Sequence, residues 1–597
     1  MSFSLYHTIS KSTNMNSSSP KPNRLSIMRH SCSHVLAAAV QKLYPKTKFA
    51  IGPAIDNGFY YDFDFGQPFS ETGLTKIEAE MARIIRANLP FEKREITSSE
   101  AKKLFAKQPY KQELIADLVG EGHKTVSIYT SGDFIDLCSG PHVASTGKIG
   151  PLKLLSLAGA YWQGDENKPQ LTRIYGTCFA NQKDLDLYLF QIEEAKKQDH
   201  RLIGKKLDLF SFHSEAAPGD VFWHPKGYLL MKKLTDYWRE EHEAAGYQEV
   251  RTPEILKNSV WQTSGHLQSF ADKMYRVATP DSKDWNMSIK PMNCDGGILI
   301  YQNSPHSYRE LPLRMGELGV VHRFETSGEL HGIIRTREFT QDDAHIFCRF
   351  DQLKNEILSV LEFIDYVMRI FQFEYEVKLS TRPKKFVGTK ENWDKAEEIL
   401  KEALVERNIS FEIDPGAGVF YGPKIDIQLK DVLGRFWQGP TVQVDFNLPE
   451  RFDLTYVAEN NSPSRPVMVH RAILGSIERF FGALIEHYAG KFPLWLAPLQ
   501  ISILGITTDV EDYALKIKDD LQAQGFRVEA DIRGETLQKK IREKELLKIP
   551  YMVIVGKKEK EKNEISLRAR GMKNIGNMKL SEFVDLLKKE EKIGEVC

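Results

Sequence analysis

Residues 314–347, RMGELGVVHRFETSGELHGIIRTREFTQDDAHIF, constrain the fold of this chain more than any other stretch. Phe324, Phe339, Ile346 and Phe347 alternate with Arg, His, Glu and Asp. A period of two with apolar and charged residues on opposite faces predicts half-buried antiparallel strands. Thr326-Ser327-Gly328 supplies the turn between them. A run of charge on a helix is usually a solvated face, but here the alternating apolar residues set the charges along the open side of a sheet. Arg323 and Arg335 therefore become candidates to neutralise a polyphosphate, since a guanidinium meets phosphate oxygens as a rigid fork.

The rest of the chain sets this element in a large protein. Its 597 residues predict about four domains at ~150 residues each. Lys+Arg and Asp+Glu are 81 each, which excludes a uniformly basic nucleic-acid coat but permits local patches. No apolar run approaches the ~18 residues that would span a bilayer, so no membrane partner is expected. Six cysteines in so long a chain exclude a disulfide scaffold and fit a reducing compartment.

From residue 1 to 55 there are seven Lys/Arg and no Asp or Glu. Residues 1–28 read as a disordered lead on a cytoplasmic protein. The alternative is an organellar transit segment, against which stand a single Arg before residue 29 and the lack of an amphipathic helix. Helical periodicity begins at 28–43, and 71–106 reads as helices with charged faces. Residues 185–207 read as one long charged helix joining domains. Residues 207–494 mix amphipathic helices (227–245, 352–371) with strands such as 442–446. From Pro498 onward, alternating strands and helices predict a small α/β domain with a largely parallel core.

Three constellations carry chemistry. His30 and His34 stand four apart on a predicted helix, sharing a face. Cys138 and His142 lie in a turn containing Gly140 and Pro141, and Asp136 is placed to orient an imidazole. The four have the residue types of a zinc site; both a bound metal and a polarised water fit them. The second constellation is 314–347. The third is 467–480, where an apolar strand containing His470 passes through Gly475 and Ser476 into a helix carrying Arg479.

These residues resemble the class II aminoacyl-tRNA synthetases. Arg323-x-Glu325 is similar to motif 2, Gly475…Glu478-Arg479 to motif 3, and Arg251-Thr252-Pro253 to motif 1. IKPMNC (289–294), FTQDDAHIF (339–347), FYGPKID (420–426) and VMVHRAILGS (467–476) resemble the threonyl-tRNA synthetases in particular. The resemblance covers nearly everything after Arg29. It implies a multidomain α+β and α/β protein: an editing domain at 29–195, a helical linker at 196–206, a class II antiparallel-sheet catalytic domain at 207–495 and an α/β anticodon-binding domain at 496–597. The implied reaction is ATP-dependent ligation of L-threonine to tRNA(Thr) through threonyl-adenylate, by a homodimer joined at motif 1.

The resemblance also implies roles for residues. Cys294, His345 and His470 would hold one Zn²⁺ whose open position takes the amine and hydroxyl of threonine. A site that must bind a hydroxyl rejects valine. Arg323 and Arg479 would be catalytic, with His266 helping to activate the tRNA ribose hydroxyl. ATP, with Mg²⁺, would meet Arg323, Glu325, Arg335, Phe339, Gln438, Ser476 and Arg479, a positioning and charge-neutralising arrangement. Threonine would meet Met292, Gln341, Asp343, Tyr421 and Gln443. Serine lacks only a methyl, a difference worth ~1–3 kcal/mol, so a second, hydrolytic sieve is needed. NGFYYD (57–62), DLCSGPHV (136–143) and GAYWQGD (159–165) resemble the family's editing domain. There His30, His34, Asp136, Cys138 and His142 would hydrolyse seryl-tRNA. Alanyl enzymes hold zinc with this set; threonyl enzymes are thought to work without it, and none is assigned. Residues 533–573 carry 13 Lys/Arg and 6 Asp/Glu, a balance of 13 − 6 = +7 that suits an RNA backbone, with Arg533 and Arg568 as anticodon contacts.

Three departures stand out. The family's Cys-Pro-Gly-His reads Cys294-Asp295-Gly296-Gly297, which predicts a looser turn and a carboxylate beside the zinc. The family often begins with a ubiquitin-like module; with only residues 1–28 ahead of the editing domain here, that module is expected to be absent. Gly534 replaces an asparagine implicated in anticodon recognition. The competing readings are a non-catalytic paralogue acting as an RNA-binding regulator and a stand-alone editing hydrolase. The presence of Arg323, Arg479, Cys294, His345 and His470 argues against both.

Overall fold

The computed structural model describes residues 23–165, 167–430 and 434–591. Most of the expected lead, 1–22, lies outside the described residues. The chain forms two compact units, 1–193 and 194–597.

In the first unit the helix expected from Met28 begins earlier, at Arg24, because Asn23 caps it by accepting the Ser26 N–H at 2.8 Å. This helix, Arg24–Leu43, packs with helix Thr72–Arg86 on an antiparallel sheet. The sheet order is Lys48–Phe49, Gly58–Asp64, Gln170–Cys178, Leu152–Tyr161. A second antiparallel sheet joins Glu92–Thr97, Thr125–Ser131 and Phe134–Leu137. Glu92–Thr97 corrects the all-helix reading of 71–106. It is an edge strand with an almost wholly exposed EKREIT sequence, so its charges follow no alternation that sequence could read.

In the second unit an eight-stranded sheet runs in the order Gln248–Glu249, Leu313–His322, Glu338–Cys348, Val467–Ala472, Phe436–Asp445, Lys424–Lys430, Glu374–Ser380, Phe411–Asp414. Its two outermost pairings are parallel and the rest antiparallel. Register decides which side chains go in. Ile346, Val469, Val442, Ile425 and Ile427 point to one face and pack on helices Pro225–Ala244, Leu353–Ile370 and Ile477–His487. The opposite face stays open except at one end. There Met315, Phe347 and Met468 are covered by helix Cys294–Tyr301.

The expected single helix over 185–207 is two, Gln182–Lys197 and His200–Leu207, broken where Asp199 caps the second. His200, Ile203 and Leu207 are buried, and Ile203 and Leu207 join the main core. His200 Nδ1 lies 2.7 Å from Glu486 Oε1, so the second helix is fastened to helix Ile477–His487. The C-terminal sheet, Val528–Asp531, Ile501–Gly505, Tyr551–Val555, Ile565–Ala569, Lys573–Met578, is parallel in its first three strands and antiparallel in the last three. The expected parallel core is thus half of a mixed sheet. Among the described residues no helix is long and apolar enough to cross a membrane.

Candidate active site and a second histidine–cysteine cluster

The open face of the eight-stranded sheet gathers most of the expected residues. On strand Glu338–Cys348, residues 339, 341, 343 and 345 share a face. His345 lies directly across from His470, and His470 across from Gln443. Gln341 bridges to Ser476. Gln438 is an odd number of residues from Gln443 and should face away. A bulge restores it: Asp426 pairs with Thr441 but Gln428 with Gln438, which returns Gln438 to the site face.

Arg323 donates through Nε to the Pro291 carbonyl at 3.1 Å and lies between the rings of Phe270 and Phe339, 5.6 and 5.1 Å from their centroids. Burial lowers its pKa; Asp343 and Glu325 oppose that. Arg335 and Glu325 meet each other. Arg335 Nη2 donates to Glu325 and to Glu329, each at 2.9 Å, and Lys273 Nζ donates to Glu325 at 2.6 Å. Ser476 caps helix Ile477–His487, accepting the Arg479 N–H, and Arg479 Nε donates to the Ile334 carbonyl at 3.1 Å. Glu478, pushed up to about 7 by burial, accepts the Thr340 N–H at 2.8 Å.

At the other end, Asn293 donates to Asp343 at 2.7 Å, and burial pushes Asp343 up to about 6. Tyr421 donates its hydroxyl to Gln443 at 2.7 Å. His470 Nε2 is 3.0 Å from Asp445 Oδ2, and the rings of His345 and His470 are 5.1 Å apart. Cys294 opens its helix, and burial with Asp295, Asp343 and Asp445 nearby holds its thiol well above the usual range. Cys294, His345 and His470 fit zinc by donor type. Their placement fits less well. The ligand atoms that lie within 4.8 Å of one another at Cys294 are those of His266, Cys294 and Asp295. The looser turn expected at Gly296 and Gly297 is also corrected, since both lie in the helix. A Cβ on Gly296 would come within 2.5 Å of the Thr252 side chain, and one on Gly297 within 3.3 Å of His345, so the glycines admit close packing.

Sequence reasoning missed Asp342, which alternation sends into the core. It accepts from Trp238 Nε1 (2.5 Å), Arg471 Nη1 (2.9 Å) and the N–H groups of Ile473 (2.8 Å) and Leu474 (2.6 Å). It thereby fixes the turn that delivers Ser476 and Arg479. Asp426 was also missed; it takes Gln438 at 3.1 Å and Ser380 at 2.7 Å.

The first unit brings its own cluster together. Cys138 Sγ is 3.4 Å from His30 Nε2 and 3.3 Å from His142 Nε2, and the ligand atoms of His30, His34, Cys138 and His142 all lie within 4.8 Å of one another. The outer nitrogens are anchored. His30 Nδ1 meets Pro141 O at 3.2 Å, His142 Nδ1 meets Ser31 Oγ at 3.1 Å, and His34 Nδ1 is 3.5 Å from Asp136 Oδ2. Asp136 also pairs with the Lys111 ammonium and accepts from the Tyr61 hydroxyl at 2.7 Å. Lys111 carried no signal as a site, since a lone lysine on a polar helix reads as surface, and Tyr61 lay within the NGFYYD string without being singled out. Burial lowers His30 and His34 and brings His142 down to about 2, while Cys138 is pushed up to about 12. The cluster is a neutral set of lone pairs and a thiol beside one ion pair, suited to polarising a water.

In the C-terminal domain Arg533 is a poorer RNA contact than expected. It grips Asp531 at 2.9 and 2.5 Å and Glu543 at 2.5 Å, which neutralises its charge. Arg568 lies on strand Ile565–Ala569, paired through its backbone with the neighbouring strands, and its side chain makes no hydrogen bond or ion pair among the described residues.

Residues 275–488 match the model of the tRNA synthetase class II core domain (G, H, P, S and T). Residues 499–590 match the anticodon binding domain, and 126–175 the threonyl and alanyl tRNA synthetase second additional domain. A threonine--tRNA ligase of Clostridium tetani is 52% identical over 565 residues, covering 94% of this chain and 88% of that protein. One from Oleidesulfovibrio alaskensis is 52% identical over 95% of this chain and 87% of the relative. Among solved structures, the RNA binding domain of threonyl-tRNA synthetase from Cryptosporidium parvum shares 40% identity at a TM-score of 0.63, over 66% of this chain and 98% of that one. A putative threonyl-tRNA synthetase from Aeropyrum pernix shares 29% at 0.59, over 66% and 96%.

Proposed function

The chain belongs to the threonyl-tRNA synthetases, threonine–tRNA ligases of class II, and from this premise we infer that it makes threonyl-adenylate on the open face of its eight-stranded sheet. The single observation that carries this reading is register. It sets Phe339, Gln341, Asp343, His345, His470 and Gln443 on one face, with Arg323 and Ser476–Arg479 at the Phe339 end and His345 and His470 at the other.

Adenylate formation attacks the α-phosphorus of ATP with the threonine carboxylate and expels pyrophosphate. Arg323, gripped between two rings, holds a fixed guanidinium where carboxylate and α-phosphate meet; such preorganised charge costs no reorganisation at reaction. Arg335 and Arg479 take the outer phosphates, with Mg²⁺ as counter-ion. Arg335 must leave Glu325 and Glu329 to do so, which frees Glu325 for the adenine that stacks on Phe339. Gln438 and Ser476 contact the adenylate. Asp343 receives the substrate ammonium, while Gln341, Met292 and the Tyr421–Gln443 pair shape the threonine pocket. A zinc ion anchored on Cys294, with His345 and His470 the partners the resemblance gives, would supply a Lewis acid for the amine and hydroxyl. Helping a ribose hydroxyl lose its proton would require His266 to keep Nε2 free. We further infer that the His30–His34–Cys138–His142 cluster, with Asp136, Lys111 and Tyr61, hydrolyses seryl-tRNA(Thr), that Arg568 contacts the anticodon, and that the enzyme is a cytoplasmic homodimer joined near Arg251-Thr252-Pro253. Threonine-dependent ATP–pyrophosphate exchange tests the reading: Arg323→Ala is expected to lose ~10²-fold or more, and retained exchange refutes its role.

A further inference from the structure

We propose that His200 is a positioning residue for ATP: its ring supports the turn 331–335, which carries Arg335 and holds Arg479. The proposal rests on the reading that these two arginines take the outer phosphates, and it names what keeps them in place.

The turn links both arginines. Its own bonds are the Ile334 N–H to the His331 carbonyl and the His331 N–H to the Arg335 carbonyl, each at 3.1 Å. The Ile334 carbonyl in turn accepts Arg479 Nε at 3.1 Å, so a shift of the turn moves Arg335 and releases Arg479 together. Helix Ile477–His487 gives the turn one support: a Cβ on Gly482 would come within 2.8 Å of the Ile334 side chain and 3.1 Å of Ile333. His200 gives another. Its ring is 5.6 Å from that of His331, and Gly332, at φ +53°, presses so close that a Cβ there would overlap His200 Nε2.

The imidazole is itself fixed. His200 is fully buried, and its backbone N–H and its Nδ1 both meet Glu486 Oε1, at 3.1 and 2.7 Å. Burial raises Glu486, but the His200 bond and the Arg435 charge hold it below the usual carboxylate range. An ionised carboxylate only accepts, so Nδ1 carries a proton and donates it. Nε2, on the Gly332 side, has no hydrogen-bond partner among the described residues, so the ring meets the turn by packing.

These contacts close on themselves. Glu486 stands in the last turn of the helix that Ser476 caps and that carries Arg479. His200 binds that helix through Glu486, the turn rests on His200 through Gly332, and the turn returns to the helix through Ile334 and Arg479. A binding group whose supports are locked in this way holds its geometry without reorganisation. Glu486 Oε2 also pairs with Arg435 Nη2 at 2.6 Å. Loss of the His200 ring therefore leaves no buried carboxylate without a cation, and the variant is expected to fold.

Threonine-dependent ATP–pyrophosphate exchange by the full-length enzyme, with ATP and threonine varied separately, tests the proposal. His200→Ala is expected to raise KM for ATP about 10-fold, to leave KM for threonine within about twofold and to lower kcat less than about threefold. Gly332→Ala keeps His200 and Glu486 but drives the turn off the ring, and should raise KM for ATP as well. In the double variant the overlap is gone, while the strain of a side chain at positive φ persists as in Gly332→Ala. The combined rise should therefore fall below the product of the two single rises. A KM for ATP within about twofold of the unmodified enzyme in His200→Ala, equal rises for ATP and threonine, a loss confined to kcat, or a combined rise equal to the product overturns the proposal. Arg479→Ala separates the two readings. If it raises KM for ATP while His200→Ala does not, only the role of His200 falls; if it leaves KM for ATP unchanged, the phosphate reading falls and the proposal with it.

Discussion

Replacing Asp342 tests the claim that a core residue builds the phosphate end of the site. Its carboxylate accepts four bonds, two from backbone N–H groups of the turn before Ser476, one from Trp238 and one from Arg471. Arg471 is 1% exposed, and its Nε and Nη2 already have no hydrogen-bond partner among the described residues. Without Asp342 the guanidinium keeps only the face of Tyr247, 4.3 Å away. Removing one member of a buried pair costs about 3–5 kcal/mol, mostly from the charge left behind. Asp342→Ala should therefore destabilise the catalytic unit by about 3–5 kcal/mol in urea titration, and lower pyrophosphate exchange as the turn loosens. The excess is assigned to Arg471, so adding Arg471→Met should recover part of it, with a coupling of about 1–3 kcal/mol in a double-mutant cycle. A single-variant loss within about 0.5 kcal/mol, or a coupling near zero, would refute the reasoning.

Other outcomes follow from the same geometry. His30→Ala combined with Cys138→Ala should leave threonine activation intact and let seryl-tRNA(Thr) accumulate; unchanged deacylation of that tRNA would remove the cluster from editing. Lys111→Met should impair deacylation too, because Asp136 loses its ammonium partner, and its deacylation rate relative to Cys138→Ala reads this directly. Burial lowers His30, His34 and His142 in the folded state. The unfolded chain binds those protons first, so their contribution is complete above about pH 6.5 and is lost as pH falls below it. Denaturant titration across that range should show the first unit weakening on the acid side; a loss on the alkaline side would contradict the sign. Arg533→Ala should change tRNA affinity less than Arg568→Ala in filter binding, since Asp531 and Glu543 already neutralise Arg533.

Much of this site was legible because a strand has a period of two. Alternation along 339–347 announced a strand with one open face, but not which residues line it: Phe339 and Phe347 share the face of Gln341, Asp343 and His345, while Asp342 turns into the core. The Gly475–Ser476–Ile477 transition announced a helix start. What stayed hidden depended on tertiary detail. Gln438 reaches the pocket only through a bulge that parity counting cannot foresee. Asp342 reads as one more acid in a charged run, although it is the buried one. The break at Asp199 hides in a continuous charged stretch, since a single capping aspartate looks like any helical acid. Gly296 and Gly297 read as a loose turn, and only the neighbouring Thr252 and His345 side chains show why a helix needs them.

Measuring ATP–pyrophosphate exchange with threonine, valine and serine, alongside zinc content, for unmodified enzyme and Cys294→Ser, bears most directly on the central claim. Bound zinc with exchange strong for threonine, weaker for serine and negligible for valine is expected, and Cys294→Ser should lose the metal and the exchange together. Undiminished threonine selectivity in a metal-free Cys294→Ser enzyme would contradict the account.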